Sequence, residues 1–108
     1  MSEIHDNYCG VVRTYYDDAK TRLKEEYFIN AGKKEGIYKL YGYNGQLDEE
    51  VNYIDGLKNG ITKSYYYENG QLKEEYFINA GKRNGIYKSY WEDGQLYGEV
   101  NFIDDKVD

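Results

Sequence analysis

The ten residues Lys24-Glu25-Glu26-Tyr27-Phe28-Ile29-Asn30-Ala31-Gly32-Lys33 recur without change as Lys73 to Lys82, 49 residues further on. Looser copies start at Leu47 (LDEEVNYIDG) and Leu96 (LYGEVNFIDD). Each copy is preceded by a second recurring stretch: GVVRTYY from Gly10, GIYKLYG from Gly36, GITKSYY from Gly60 and GIYKSYW from Gly85. Self-similarity at a fixed short period marks a repeat architecture. The chain divides into units 10–35, 36–59, 60–84 and 85–108, with residues 1–9 expected to cap the first.

Each half-unit is short and rich in Tyr, Val, Ile and Phe, and the halves of the last three units are joined by Asn44-Gly45, Asn69-Gly70 and Asp93-Gly94. Such pairs favour tight hairpin turns because both residues tolerate positive φ. Each unit therefore reads as a β-hairpin. A two-residue loop at Asn44-Gly45 pairs Tyr43 with Gln46, and so Lys39 with Glu50 and Tyr38 with Val51. The same loop at Asp93-Gly94 sets Lys88 opposite Glu99, Tyr87 opposite Val100 and Trp91 opposite Leu96. The third unit has one residue more, which a three-residue loop Glu68-Asn69-Gly70 absorbs, with Lys63 facing Glu75 and Tyr66 facing Leu72. The first unit keeps the pattern with a longer loop over Asp18 to Thr21 that pairs Arg13 with Glu26. In the fourth unit Asp105 replaces the glycine seen at Gly32, Gly56 and Gly81, so no further strand is expected.

Alternation along a strand assigns two faces. One is predicted to be apolar. It carries Val12, Tyr16, Leu23, Tyr27 and Ile29, then Tyr38, Leu47, Val51 and Tyr53, then Tyr66, Leu72, Tyr76 and Ile78, then Tyr87, Trp91, Leu96, Val100 and Phe102. The other holds the Arg/Lys–Glu column beside Tyr15, Tyr41, Tyr65 and Tyr90. The fold class predicted is all-β: an elongated, single-layer, twisted antiparallel sheet of about four consecutive hairpins, some eight strands with almost no helix.

Composition agrees. The mean hydropathy is low at -0.96, yet 15 Tyr, 3 Phe and 1 Trp are far more aromatic side chains than a disordered chain of 108 residues carries. The absence of proline suits interior strands. A net charge of -6, with both signs interspersed, makes nucleic acid and anionic membrane surfaces poor partners. Cys9 is the single cysteine, so no intrachain disulfide forms and a reducing, cytoplasmic setting is expected. The N-terminal stretch from Met1 to Asp6 has neither a basic nor an apolar region of the kind a signal peptide needs.

Candidate chemistry is sparse. His5 and Cys9 are close enough in sequence to act as base and nucleophile, but no third group is placed to orient the base. A solvated terminal histidine and a half-buried thiol are the expected reading. Glu25-Glu26, Glu49-Glu50 and Glu74-Glu75 are neighbours on strands, so the members of each pair point to opposite faces and share no site. Asp104-Asp105 lacks the spaced ligands of a calcium loop. No cofactor, metal site or catalytic residue is assigned.

The pattern resembles the MORN repeat (membrane occupation and recognition nexus) in its shorter variant. The residues that carry the resemblance are Gly36, Tyr38, Tyr41, Asn44-Gly45, Leu47 and Tyr53, and two further copies of the same set. In those copies stand Gly60, Tyr65-Tyr66, Asn69-Gly70 and Leu72, then Gly85, Tyr87, Tyr90-Trp91, Asp93-Gly94 and Leu96. The first unit departs by lacking the Asn-Gly turn. The resemblance implies hairpins stacked into one sheet with a groove, and a role in protein contact or self-association. Bacterial proteins of this variant are often described as antitoxin halves of toxin–antitoxin pairs. A rival class is the carbohydrate- or small-ligand-binding aromatic hairpin repeat, which is richer in tryptophan and secreted.

The expected function is a non-catalytic scaffold that binds a protein or peptide, or a second copy of itself, through an aromatic-lined groove. Tyr16, Tyr38, Tyr53, Tyr66, Tyr87, Trp91 and Phe102 are the predicted binding residues. A single-layer sheet has nothing in this sequence to cover that face, and large exposed apolar surface marks interaction sites.

Overall fold

The computed structural model describes residues 8–107. His5 and most of the predicted N-terminal cap lie outside them. The described residues form one antiparallel sheet with no helix. The first hairpin is β1 (Gly10–Tyr15) and β2 (Leu23–Asn30), followed by the two-residue β3 (Lys33–Lys34). The second is β4 (Gly36–Tyr41) and β5 (Leu47–Ile54); the third is β6 (Leu57–Tyr65) and β7 (Leu72–Asn79), followed by the two-residue β8 (Lys82–Arg83). The fourth is β9 (Gly85–Tyr90) and β10 (Leu96–Ile103), and β11 (Lys106–Val107) comes last. Eight long strands thus follow one another in chain order across the sheet, with β3 on β2, β8 on β7 and β11 on β10. The body measures 44 × 31 × 14 Å, and its radius of gyration of 15.7 Å exceeds the roughly 13 Å of a compact domain of this length.

Within each hairpin the predicted charge pairs are in place: Arg13 opposite Glu26, Lys39 opposite Glu50, Lys63 opposite Glu75 and Lys88 opposite Glu99. Between hairpins the same residues meet again, Glu26 with Lys39, Glu50 with Lys63 and Glu75 with Lys88. One residue from each long strand therefore builds a ladder of alternating sign from Arg13 to Glu99.

The links between hairpins make this possible. Each begins as a tight turn, with Asn30 opposite Lys33, Ile54 opposite Leu57 and Asn79 opposite Lys82. Continued unchanged, that register would set Glu26 against Ile37. Instead each link takes up two extra residues, around Glu35-Gly36, Asn59-Gly60 and Asn84-Gly85, and the glycines sit at φ 88, 99 and 89°. Glycine reaches such angles without steric cost. A step of two keeps every side chain on its own face.

The loops depart from the predicted ones. Gly42 N–H donates to Gln46 O at 2.8 Å and Gly45 N–H to Gly42 O at 2.9 Å, so Tyr43, Asn44 and Gly45 form a three-residue loop, not the predicted pairing of Tyr43 with Gln46. The fourth hairpin repeats this, with Trp91 N–H on Gln95 O. In the third, Tyr66 N–H meets Gln71 O around a four-residue loop. In the first, Tyr16 N–H meets Arg22 O, and the Asp17 carboxylate accepts from the backbone N–H of Thr21 and Arg22, each at 3.0 Å. Each loop is thus one residue longer than predicted. A bulge at Lys24, Asp48, Lys73 or Tyr97 restores the register.

The bulges correct the facial assignment. Leu23, Leu47, Leu72 and Leu96 lie opposite Tyr15, Tyr41, Tyr65 and Tyr90 on the ladder face. Leu72 therefore faces Tyr65 rather than Tyr66, and Leu96 faces Tyr90 rather than Trp91. The ladder face is also less polar than predicted: Val11, Phe28, Ile37, Ile61, Phe77 and Ile86 stand half exposed along it.

A second correction concerns the last turn. Asp104 and Asp105 adopt φ 50 and 70°, as Ala31-Gly32, Asp55-Gly56 and Ala80-Gly81 do, and β11 follows and pairs with β10. The Asp105 carboxylate accepts from Arg83 N–H and Nε, each at 2.9 Å, which offsets the strain of a side chain at positive φ.

The stepping glycines are not equivalent. A Cβ on Gly60 would come within 3.1 Å of Asn52 Nδ2, whereas nothing lies within 4 Å at Gly85. Gly85→Ala is expected to cost about 1–2 kcal/mol from backbone strain alone, and Gly60→Ala more. Thermal unfolding of the two variants checks the order, and equal or reversed losses contradict it.

Candidate binding face

The tyrosine-rich face is built from alternate residues of the eight long strands. Its closest packing is central, where Val51 and Thr62 face each other across β5 and β6 at 1% and 3% exposure. On either side of this small-residue seam stand two aromatic groups, 49 residues apart in sequence. Tyr38 lies 5.4 Å from Tyr27 and 6.0 Å from Tyr53 between ring centroids; Tyr87 lies 5.1 Å from Tyr76 and 5.9 Å from Phe102. The unchanged ten-residue stretch is thus explained: it supplies the same half of the same cluster twice.

Each cluster holds a cation from the link beside it. Lys34 Nζ sits 5.0, 4.5 and 5.1 Å from the rings of Tyr27, Tyr38 and Tyr53. Arg83 Cζ lies 4.3 Å from the Phe102 ring. The negative ring faces attract these charges. Each cluster also has a carboxylate below it. Tyr38 donates its hydroxyl to Glu25, which also accepts from Thr14 at 2.7 Å; Tyr87 donates to Glu74, which accepts from Ser64 at 3.2 Å. Glu25 and Glu26 project to opposite faces, since Glu26 pairs with Arg13 at 2.7 Å.

These contacts move the titrations. Burial pushes the Tyr38 and Tyr87 hydroxyls up, and the hydrogen bonds to Glu25 and Glu74 push them further, Tyr87 to about 12. Burial raises Glu25 as well, but bonds from Tyr38 and Thr14 and the charges of Lys24 and Lys34 outweigh it, so its carboxyl lies below the usual range.

The seven predicted binding residues fall into three groups. Tyr38 is buried at 9% exposure, and Tyr53, Tyr87 and Phe102 are half-buried in the clusters. Tyr16 and Tyr66 spend their hydroxyls on the next hairpin, donating to Tyr41 O at 2.7 Å and Tyr90 O at 2.6 Å. Trp91 is the most accessible at 53%, followed by Tyr16 at 39%. The equivalent position in the second hairpin is Gly42, where a Cβ would approach the Tyr67 ring to 2.7 Å, so that ring takes the place of a side chain.

The sequence reading missed Tyr97. It is the bulge residue of the fourth hairpin, 64% exposed, and its ring meets Trp91 edge-on at 4.4 Å. With Trp91, Tyr66, Tyr87, Lys73 and Glu74 it lines a depression of about 330 Å³. Reading Tyr97 against Lys24, Asp48 and Lys73 of the other copies marks it as the aromatic exception, but its face follows only once the bulge is known. Cys9 is exposed rather than half-buried, with Sγ 3.3 Å from Asn30 Oδ1.

The hydroxyl shifts give a signed expectation. A tyrosine whose folded-state value is raised stabilises the fold at pH below its unfolded value near 10. That contribution is lost as pH rises from there towards about 12. Alkaline titration followed by tyrosinate absorbance should show a late-ionising fraction, reduced in Tyr87→Phe; an unchanged late fraction contradicts the Tyr87–Glu74 bond.

No curated protein and no solved structure matched the chain. The family model of the MORN repeat variant matches residues 34–55, 58–79 and 83–104, the second, third and fourth hairpins. The first hairpin, with its five-residue loop over Asp17 to Thr21, is not among the matches. Three consecutive matches spanning more than half of the sequence show that the chain belongs to the MORN repeat variant family.

Proposed function

We propose that this chain is a non-catalytic scaffold that binds a polypeptide through the fourth-hairpin end of its tyrosine-rich face. Repeats of this family commonly mediate protein interactions. The observation that carries the reading is the pairing of Trp91 and Tyr97, both more than half exposed, over a depression floored by Tyr66 and Tyr87. Elsewhere on the face the rings are engaged by one another, by Lys34 and Arg83, or by the neighbouring hairpin. Aromatic anchors beside a pocket dominate interface energetics.

The local chemistry suits a segment with an apolar side chain for the depression and polar groups for Lys73 and Glu74 at its wall. A net charge of -6 disfavours an anionic lipid surface, and no helix among the described residues is long and apolar enough to cross a membrane.

The test starts from a peptide selected on the intact protein from a random library and measured by calorimetry. Trp91→Ala and Tyr97→Ala should each weaken binding by about tenfold or more, equivalent to about 1.4 kcal/mol. Tyr41→Ala, on the ladder face, should leave it unchanged. Peptides whose affinity ignores Trp91 and Tyr97 would remove this face from the account.

A further inference from the structure

The ladder face carries a pattern that the proposed peptide site does not use. Across the eight long strands it reads Arg13, Glu26, Lys39, Glu50, Lys63, Glu75, Lys88, Glu99, strictly alternating in sign. An alternating row with an even number of members is complementary to its own reversal. We infer that the ladder face is the interface of a symmetric homodimer, in which a second copy packs face to face with its strand order reversed.

The geometry follows from a two-fold axis lying between the two sheets, parallel to the strands and midway between β5 and β6. That operation sets Arg13 against the second copy's Glu99, Glu26 against its Lys88, Lys39 against its Glu75 and Glu50 against its Lys63, each pair occurring twice. The alternative axis, perpendicular to the strands, stacks each charge on its own like and is repelled. Both axes keep the two sets of strands aligned, one of the two ways sheets stack, so the charges decide between them.

The neighbouring row supplies apolar contact in the same register. Phe28 then meets the second copy's Ile86, and Ile37 meets its Phe77; these four are 42%, 46%, 49% and 39% exposed in the single chain. Beside them, Ile37, Ile61, Asn52, Glu50, Lys63 and Glu75 line a depression of about 410 Å³ that receives opposing side chains. Eight strands about 4.8 Å apart span about 34 Å, and three side-chain rows cover about 20 Å, a footprint of roughly 700 Å² against the roughly 800 Å² per partner of a standard interface.

Light scattering on the intact chain at micromolar concentrations should give twice the protomer mass of 12.8 kDa. Ile37→Asp should raise the dimer dissociation constant by about tenfold or more, while Trp91→Ala should leave it unchanged. A cross-link decides the orientation and does not depend on either variant. In a Cys9→Ser background, Lys39→Cys with Glu75→Cys should be joined into a covalent dimer by a short bis-maleimide reagent, because facing residues of stacked sheets lie about 10 Å apart, within its span, whereas within one chain the two sit three strands, about 14 Å, apart. Lys39→Cys alone should not. A monomeric wild-type chain, a dimer indifferent to Ile37→Asp, or efficient cross-linking by Lys39→Cys alone would each overturn the proposal. Loss of peptide binding in Trp91→Ala with the dimer intact separates this face from the other.

Discussion

Three glycines, Gly36, Gly60 and Gly85, hold the array in step. Each hairpin is locally sufficient, because its loop and its cross-strand pairs are close in sequence. Joining hairpins is the harder problem, since a tight turn at residues 31–32, 55–56 or 80–81 starts a register that opposes glutamate to isoleucine. The paired step at 35–36, 59–60 and 84–85 moves that register by two, and glutamate then meets lysine. Positive φ at these glycines is what permits the step. Individual surface charge pairs contribute little to stability. Their value is in penalising the wrong register, where each glutamate would be left opposite an isoleucine.

The same step lets two different surfaces share one layer. Because it is even, the face with Tyr27, Tyr38, Val51 and Thr62 stays crowded and the face with the ladder stays open. The tyrosine face packs itself through rings, through Lys34 and Arg83, and through the Glu25 and Glu74 carboxylates. A single-layer sheet without a covering helix needs such side chains, each bringing large apolar area with a polar tip that reaches a partner. At the fourth hairpin the packing stops short, leaving Trp91 and Tyr97 accessible.

Most of the fold was legible in the sequence. The hairpins, the four charge pairs within them and the single antiparallel sheet follow from the repeat and the period of two. The loops were not legible, because Asn-Gly serves a two-residue turn and a longer loop with a left-handed glycine equally well. Strands of eight residues also have length to spare for a bulge at Lys24, Asp48, Lys73 or Tyr97. That local ambiguity displaced the four leucines to the other face and hid Tyr97. Asp104-Asp105 was misread for a related reason: aspartate tolerates positive φ, so the absence of glycine did not forbid a turn. Of the aromatic residues assigned to that face, Trp91 stands exposed, whereas Tyr38, Tyr53 and Tyr87 answer chiefly to the packing of neighbouring hairpins.

Backbone contacts between hairpins, read by NMR on isotope-labelled protein, test the stepped register directly. The structure predicts cross-strand contacts of Glu26 with Lys39, Glu50 with Lys63 and Glu75 with Lys88. Contacts of Glu26 with Ile37, Glu50 with Ile61 and Glu75 with Ile86 would mean that the links run on without a step, and the ladder and both faces built on it would be wrong.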